Sequence, residues 1–106
     1  IWPKRDWFMN KAHLDDIIHA PNRLQICALL SPIAEAEFQV LRDELGVSDS
    51  VLSKHLKKLE EAGYVKFRKG AMNGRQRMWA TLTSSGRKAF AGHMEELRRI
   101  AAIADG

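Results

Sequence analysis

One cysteine, three prolines and one tyrosine are all this chain contains of those residues, and no apolar run reaches membrane-spanning length. The lone Cys27 excludes an intramolecular disulfide and any four-cysteine zinc site, and its setting, Ile26-Cys27-Ala28-Leu29-Leu30, is that of a core residue. A membrane helix needs roughly 18 or more consecutive apolar residues, and a secretory signal needs an apolar stretch followed by a small-residue cleavage site. Neither pattern is present, so a soluble, cytoplasmic protein is expected. The chain opens on Ile1 rather than Met, as a trimmed product or the interior of a longer reading frame does.

Enzyme signatures are missing too. There is no Ser-His-acid or Cys-His spacing, no glycine-rich phosphate loop and no HExxH helix, and Asp15-Asp16 are adjacent carboxylates on what reads as a solvated helix face. No enzyme and no cofactor are implied. Strong charge is also lacking overall, at +4 across 106 residues, but its distribution is uneven. From Ser48 to Arg77 eight basic residues face three acids, a local +5 that leaves the remainder at −1. Basic residues concentrated in one third of a chain point to a polyanion.

What is present organises itself around Leu45–Tyr64. Gly46 ends one short helix, Ser48 caps the next, and Gly63 stops it, which makes Asp49–Ala62 one helix. Leu52, Leu56 and Leu59 form its apolar stripe, widened by Val51 and Ala62, while Ser50, Ser53, Lys54, Lys57, Lys58 and Glu61 lie opposite. Such a helix is about 20 Å long and fits a major groove roughly 12 Å wide.

The hydrophobic share, 45%, suits one small domain over residues 1–106. Its first ten residues hold Trp2, Trp7 and Phe8, too aromatic for a free tail. Lys11–His19 then reads as a short helix with Leu14, Ile17 and Ile18 inward and Asp15 and Asp16 outward. Asn22–Leu30 is a second helix ended by Ser31-Pro32, Ala36–Phe38 a short strand, and Gln39–Leu45 a third helix. The short helix, the Gly-containing turn and the longer amphipathic helix make a helix-turn-helix over about 39–62.

After Gly63 the period changes to two. Val65 and Phe67 alternate with Lys66 and Arg68, then Met78, Ala80 and Leu82 with Trp79 and Thr81, a β-hairpin over about 65–82 whose loop is Gly70–Arg77 with Asn73-Gly74 at its centre. A basic hairpin beside a helix-turn-helix is a wing, and Lys69, Arg75 and Arg77 are its candidates for phosphate or minor-groove contact. Thr83 caps a last helix over about 84–103, in which Phe90, Met94, Leu97, Ala101 and Ala104 follow an a/d spacing suited to dimerisation. The expected class is therefore mainly α with a small β-hairpin (α+β): a winged helix-turn-helix whose N- and C-terminal helices form a dimer interface.

With these residues identified, the sequence resembles winged-helix transcriptional regulators of the MarR-like group and, more distantly, the ArsR group, over about Leu14–Leu97. The resemblance is carried by Asn22-Arg23-Leu24-Gln25-Ile26, by the run Leu52–Val65 (LSKHLKKLEEAGYV), and by Leu82-Thr83-Ser84-Ser85-Gly86-Arg87. It implies a homodimer on double-stranded DNA that binds a pseudo-palindromic operator and represses by occluding a promoter. Ser48, Ser50, Ser53, Lys54, His55, Lys57 and Lys58 would then serve DNA from the recognition helix, with His55 shared between packing and phosphate. Lys69, Arg75 and Arg77 would serve it from the wing, and Trp2, Trp7, Phe8, Phe90, Met94, Leu97 and Ala101 would form the dimer interface.

MarR-type chains carry longer terminal helices than this one. ArsR-type metal sensing needs clustered ligands, for which His93 with Glu96, joined by His13 or His19, is the nearest candidate; no metal site is expected, and these histidines read as surface or interface residues. A small-molecule effector has no direct support, since Trp2, Trp7 and Phe8 are as well explained by dimer packing as by a cavity. The competing reading is a winged helix used only as a protein-interaction module. Against it, the outward face of the recognition helix offers Ser and Lys where an interaction surface needs aromatic or aliphatic anchors.

Overall fold

The computed structural model describes residues 14–106. In chain order the elements are α1 (Asp16–His19), α2 (Pro21–Leu30), β1 (Ala36–Glu37), α3 (Phe38–Leu45), α4 (Asp49–Glu61), β2 (Val65–Met72), β3 (Arg75–Leu82) and α5 (Ser84–Asp105). The expectations for Trp2, Trp7, Phe8 and His13 lie outside the described residues. The sheet has three antiparallel strands in the order β1-β3-β2, so the short strand seen in the sequence finds its partner in the returning arm of the hairpin.

Each boundary has a local cause. Pro21 opens α2, where a missing N–H costs nothing. Gly46 ends α3 in left-handed geometry at φ 67°. Ser48 starts α4 by accepting a hydrogen bond from the Val51 N–H at 3.2 Å, and Thr83 does the same for α5 through the Gly86 N–H at 2.9 Å. The Thr83 hydroxyl also donates to the Gly63 carbonyl at 2.7 Å, and its N–H donates to the Tyr64 carbonyl at 2.9 Å, which fastens the start of α5 to the end of α4.

The core lies where α2, α3 and α4 meet the inner face of the sheet. Ile26, Cys27 and Leu30 from α2, Leu41 from α3, and Leu52, Leu56 and Leu59 from α4 close on Val65, Ala80 and Leu82. Burial pushes the Cys27 thiol up to about 12, so it stays protonated and inert at neutral pH.

Three expectations change. The hairpin loop is two residues, not eight: the ladder runs to Met72↔Arg75, and Asn73 (φ 53°) and Gly74 (φ 77°) alone make the turn. Asp15 does not face solvent; it caps α1 from half-buried ground, accepting from the Ile17 and Ile18 N–H groups at 2.9 and 3.1 Å and from the Tyr64 hydroxyl at 2.5 Å. His93 is not a surface residue either. It is 1% exposed, with Nδ1 accepting from the Asp15 N–H at 2.9 Å and Nε2 lying 3.3 Å from His19 Nδ1. Glu96 is buried beside it on α5 and pairs with Arg99.

Candidate nucleic-acid interface

The two faces of α4 separate cleanly. Leu52, Leu56 and Leu59 are buried, whereas Ser50, Ser53, Lys54, Lys57 and Lys58 are all exposed. The buried face fixes the helix, so the exposed one is presented on a rigid support. At its start, Arg42 of α3 reaches Asp49 at 2.9 Å and Asp43 at 3.2 Å, an ion pair that spans the turn between the two helices. Ser48 Oγ is occupied in capping and lies 3.2 Å from Ser50 Oγ. Lys57 meets Glu61 only loosely, at 3.9 Å with both side chains exposed.

His55 sits on the inner flank, half-buried, with Nδ1 3.3 Å from an Arg23 guanidinium nitrogen and Nε2 3.3 Å from the Asn22 amide. The Arg23 guanidinium and the Asn22 amide NH2 both only donate, so the neutral ring, with one unprotonated nitrogen, accepts from one of them at a time. Burial, then the charges of Arg23 and Lys54, hold its pKa below the ordinary value, so the ring is neutral at pH 7. It ties α4 to α2 and offers no positive charge.

The wing divides its cations in two. Lys66, Lys69 and Arg75 are exposed, Arg75 immediately after the turn. Arg68 instead makes two hydrogen bonds to Glu35, at 3.1 and 2.7 Å, and lies over the Trp79 ring at 4.1 Å. Hydrogen bonding to Arg68 holds the Glu35 carboxyl below its usual range. Arg77 is committed likewise, to Glu37 at 2.8 Å and Gln39 at 2.9 Å. These two belong to the basic count of the sequence yet are paired with acids within the fold, Arg68 at the surface and Arg77 largely withdrawn from water. Glu35, Glu37 and Gln39 were not singled out by the sequence reading; their signal, acids flanking a short strand, becomes meaningful only once β1 is placed beside β3.

Between wing and recognition helix runs an open groove of about 260 Å³, lined by Glu37, Phe38, Gln39, Ser53, Gln76, Arg77 and Met78. Among the described residues no group of three or more His, Cys, Asp or Glu side chains could hold a metal ion. On α5, Phe90 packs against the core of its own chain, Met94 and Leu97 are half-buried, and Ala101 is exposed.

A capped helix with a basic outer face, backed by a helix and flanked by a two-stranded basic wing, defines a winged helix-turn-helix DNA-binding domain. The chain belongs to the winged helix DNA-binding domain family, whose pattern matches residues 22–101. An uncharacterised protein of Methanocaldococcus jannaschii is 36% identical over 84 residues, which is 79% of this chain and 91% of that protein. The solved structure of a transcriptional regulator homologue from Pyrococcus horikoshii superposes with a TM-score of 0.80 at 26% identity, covering 87% of this chain and 91% of that one. A zinc-responsive MarR family member from Lactococcus lactis, ZitR, shares the fold at a TM-score of 0.59 and 19% identity, covering 79% of this chain and 57% of that one. The winged-helix resemblance carried by Asn22–Ile26, Leu52–Val65 and Leu82–Arg87 is thus met in the family match, and family and neighbours together describe a DNA-binding regulator.

Proposed function

We propose that this protein is a sequence-specific transcriptional regulator that binds double-stranded DNA as a homodimer and represses from a pseudo-palindromic operator. The observation that carries the reading is the outer face of α4, where Ser50, Ser53, Lys54, Lys57 and Lys58 are exposed on a helix locked to the core by Leu52, Leu56 and Leu59. In the major groove the lysines supply charge-assisted phosphate contacts and the serines short hydrogen bonds to base edges. Ser48 lies at the helix start, where N–H groups favour an anion. Lys69 and Arg75 serve the adjoining backbone or minor groove from the wing. Support for a dimer comes from α5, where Ile100 and Ile103 are exposed, Ile103 at 68%, beside Ala101 and Ala104. Two recognition helices related by a two-fold axis would meet half-sites about 34 Å apart. Repression follows if the bound dimer covers promoter DNA.

The test begins with fragments of the source genome selected on the purified protein, followed by a gel shift against random competitor DNA. Binding is expected to weaken steeply with salt as counterions are released. Lys57→Glu should fold normally and lose operator affinity. Salt-insensitive binding, or full affinity in that variant, overturns the reading.

A further inference from the structure

Arg77 is the wing cation whose surroundings are least like those of a phosphate ligand. Glu37 stands opposite Trp79 in the β1–β3 ladder, and Arg77 precedes Trp79 by two residues, so Glu37 and Arg77 form a diagonal cross-strand pair on one face of the sheet. One guanidinium nitrogen donates to both Glu37 Oε1 and Gln39 Oε1. Both members of the ion pair are largely withdrawn from water, at 19% and 20% exposed, whereas Arg75, nearer the turn, is exposed. Swinging Arg77 out to a phosphate would break two hydrogen bonds. It would also leave the Glu37 carboxylate half-buried, unpaired and close to DNA, and stranding one partner of a buried pair costs far more than an exposed pair is worth.

The contact has a second effect. Arginine only donates, so the Gln39 atom that faces it is the carbonyl oxygen, and the amide NH2 of Gln39 remains available as a donor. Gln39 lines the same groove as Ser53 of the recognition helix and Gln76 of the wing. It is also the second residue of α3, the helix that crosses the DNA backbone in this architecture.

We infer that Arg77 is a positioning residue: by clamping Glu37 and Gln39 it fixes the base of the wing to the start of α3, sets the groove between wing and recognition helix, and orients Gln39 toward the DNA backbone. The inference rests on the DNA-binding reading above. It differs from a direct phosphate contact in the sign of one mutation. Removing Glu37 would free a phosphate-binding arginine and delete a repelling anion, so a direct ligand gains affinity. A clamp loses it.

The measurement is fluorescence anisotropy with a selected genomic fragment, using wild type, Glu37→Ala, Glu37→Gln, Arg77→Ala and the Glu37→Ala/Arg77→Ala double variant, each first shown to be folded by thermal melting. Glu37→Ala and Arg77→Ala are each expected to weaken binding about tenfold, the loss of roughly one charge-assisted hydrogen bond's worth of organisation. The double variant should be no weaker than either single one, because the same clamp is lost. Glu37→Gln keeps the carbonyl acceptor and should bind no tighter than wild type and no more than about threefold more weakly. It also decides the matter should Glu37→Ala not fold, since mere removal of negative charge would tighten binding in both Glu37 variants. Tighter binding in either Glu37 variant, or additive losses in the double variant, overturns the clamp. A wild-type protein that binds no DNA instead overturns the proposed function itself.

Discussion

Lys54 and Leu56 lie two residues apart on α4 and answer to different forces. Leu56 is 2% exposed within the central cluster, so Leu56→Ala removes apolar contacts and leaves a cavity; an unfolding midpoint measurement should report a loss of about 2–5 kcal/mol. Lys54 is exposed, and Lys54→Ala should melt like wild type while binding DNA more weakly. Should both variants merely unfold, the two faces of the helix have been exchanged. These assignments were legible in the sequence because helical period and residue type agree at each position. Asp15 was not legible in the same way, because a cap and a solvated carboxylate look alike until the third dimension brings Tyr64 and His93 to it. The hydrogen bond to Asp15, aided by burial, then pushes the Tyr64 hydroxyl up to about 12, so it stays a donor.

At the scale of elements, the wing and the entry to α5 show how contacts across the chain refine local signals. Asn73-Gly74 gave the position of the turn, but the cations around it read as loop, and only the ladder Gly70↔Arg77, Ala71↔Gln76, Met72↔Arg75 makes them strand residues. Gly70 gives closeness there: a Cβ would sit 3.0 Å from the Trp79 ring, which would have to give by a few tenths of an ångström. Gly86, in the first turn of α5, is more tightly held still. A Cβ at that position would lie 2.2 Å from the Tyr64 carbonyl oxygen and 2.9 Å from a Leu82 methyl, so helix and hairpin would have to move apart. Gly86→Ala, a favourable change in an isolated helix, is therefore expected to destabilise by roughly 1–3 kcal/mol or more in denaturant titration. A neutral or stabilising outcome would mean that α5 does not approach Tyr64 this closely. Arg87 ties the start of α5 to the loop after α2 as well, its guanidinium donating to the Ser31 and Ile33 carbonyls at 2.6 and 3.1 Å.

Across the whole molecule, two neutral histidines link stability to pH. His93 joins α1 to α5. Its Nδ1 accepts the Asp15 N–H, so the neutral ring carries its proton on Nε2, facing His19, and a second proton would meet a donor. Burial first, then the neighbouring His19, hold its pKa below the ordinary 6.5, with Asp15 opposing; His55 is lowered as well, chiefly by burial. The unfolded chain therefore takes up protons near 6.5 that the folded one refuses. Stability should be intact above that value and decline as pH falls from it through the lower folded-state pKa values. Thermal midpoints from about pH 7.5 to about pH 5.5 should drop, and His93→Gln should flatten part of the decline. A midpoint independent of pH in wild type would show that these rings take up protons as readily in the fold as outside it.

The chain by itself determined the order of elements, the caps at Ser48 and Thr83, the glycine stops at Gly46 and Gly63, and the two faces of α4. All of these depend on neighbours within a few residues, where propensity, capping and period act. Tertiary structure alone decided which basic residues of the wing are paired with acids. Arg68 and Arg77 are paired with Glu35 and Glu37, acids 33 and 40 positions away that reach them only through the placement of β1 beside β3. Likewise, Asp15 and His93 are 78 positions apart, and no local pattern marks them as partners. Charge can be counted along a sequence, but whether a charge is free or neutralised depends on distances of a few ångströms, which only the folded chain fixes.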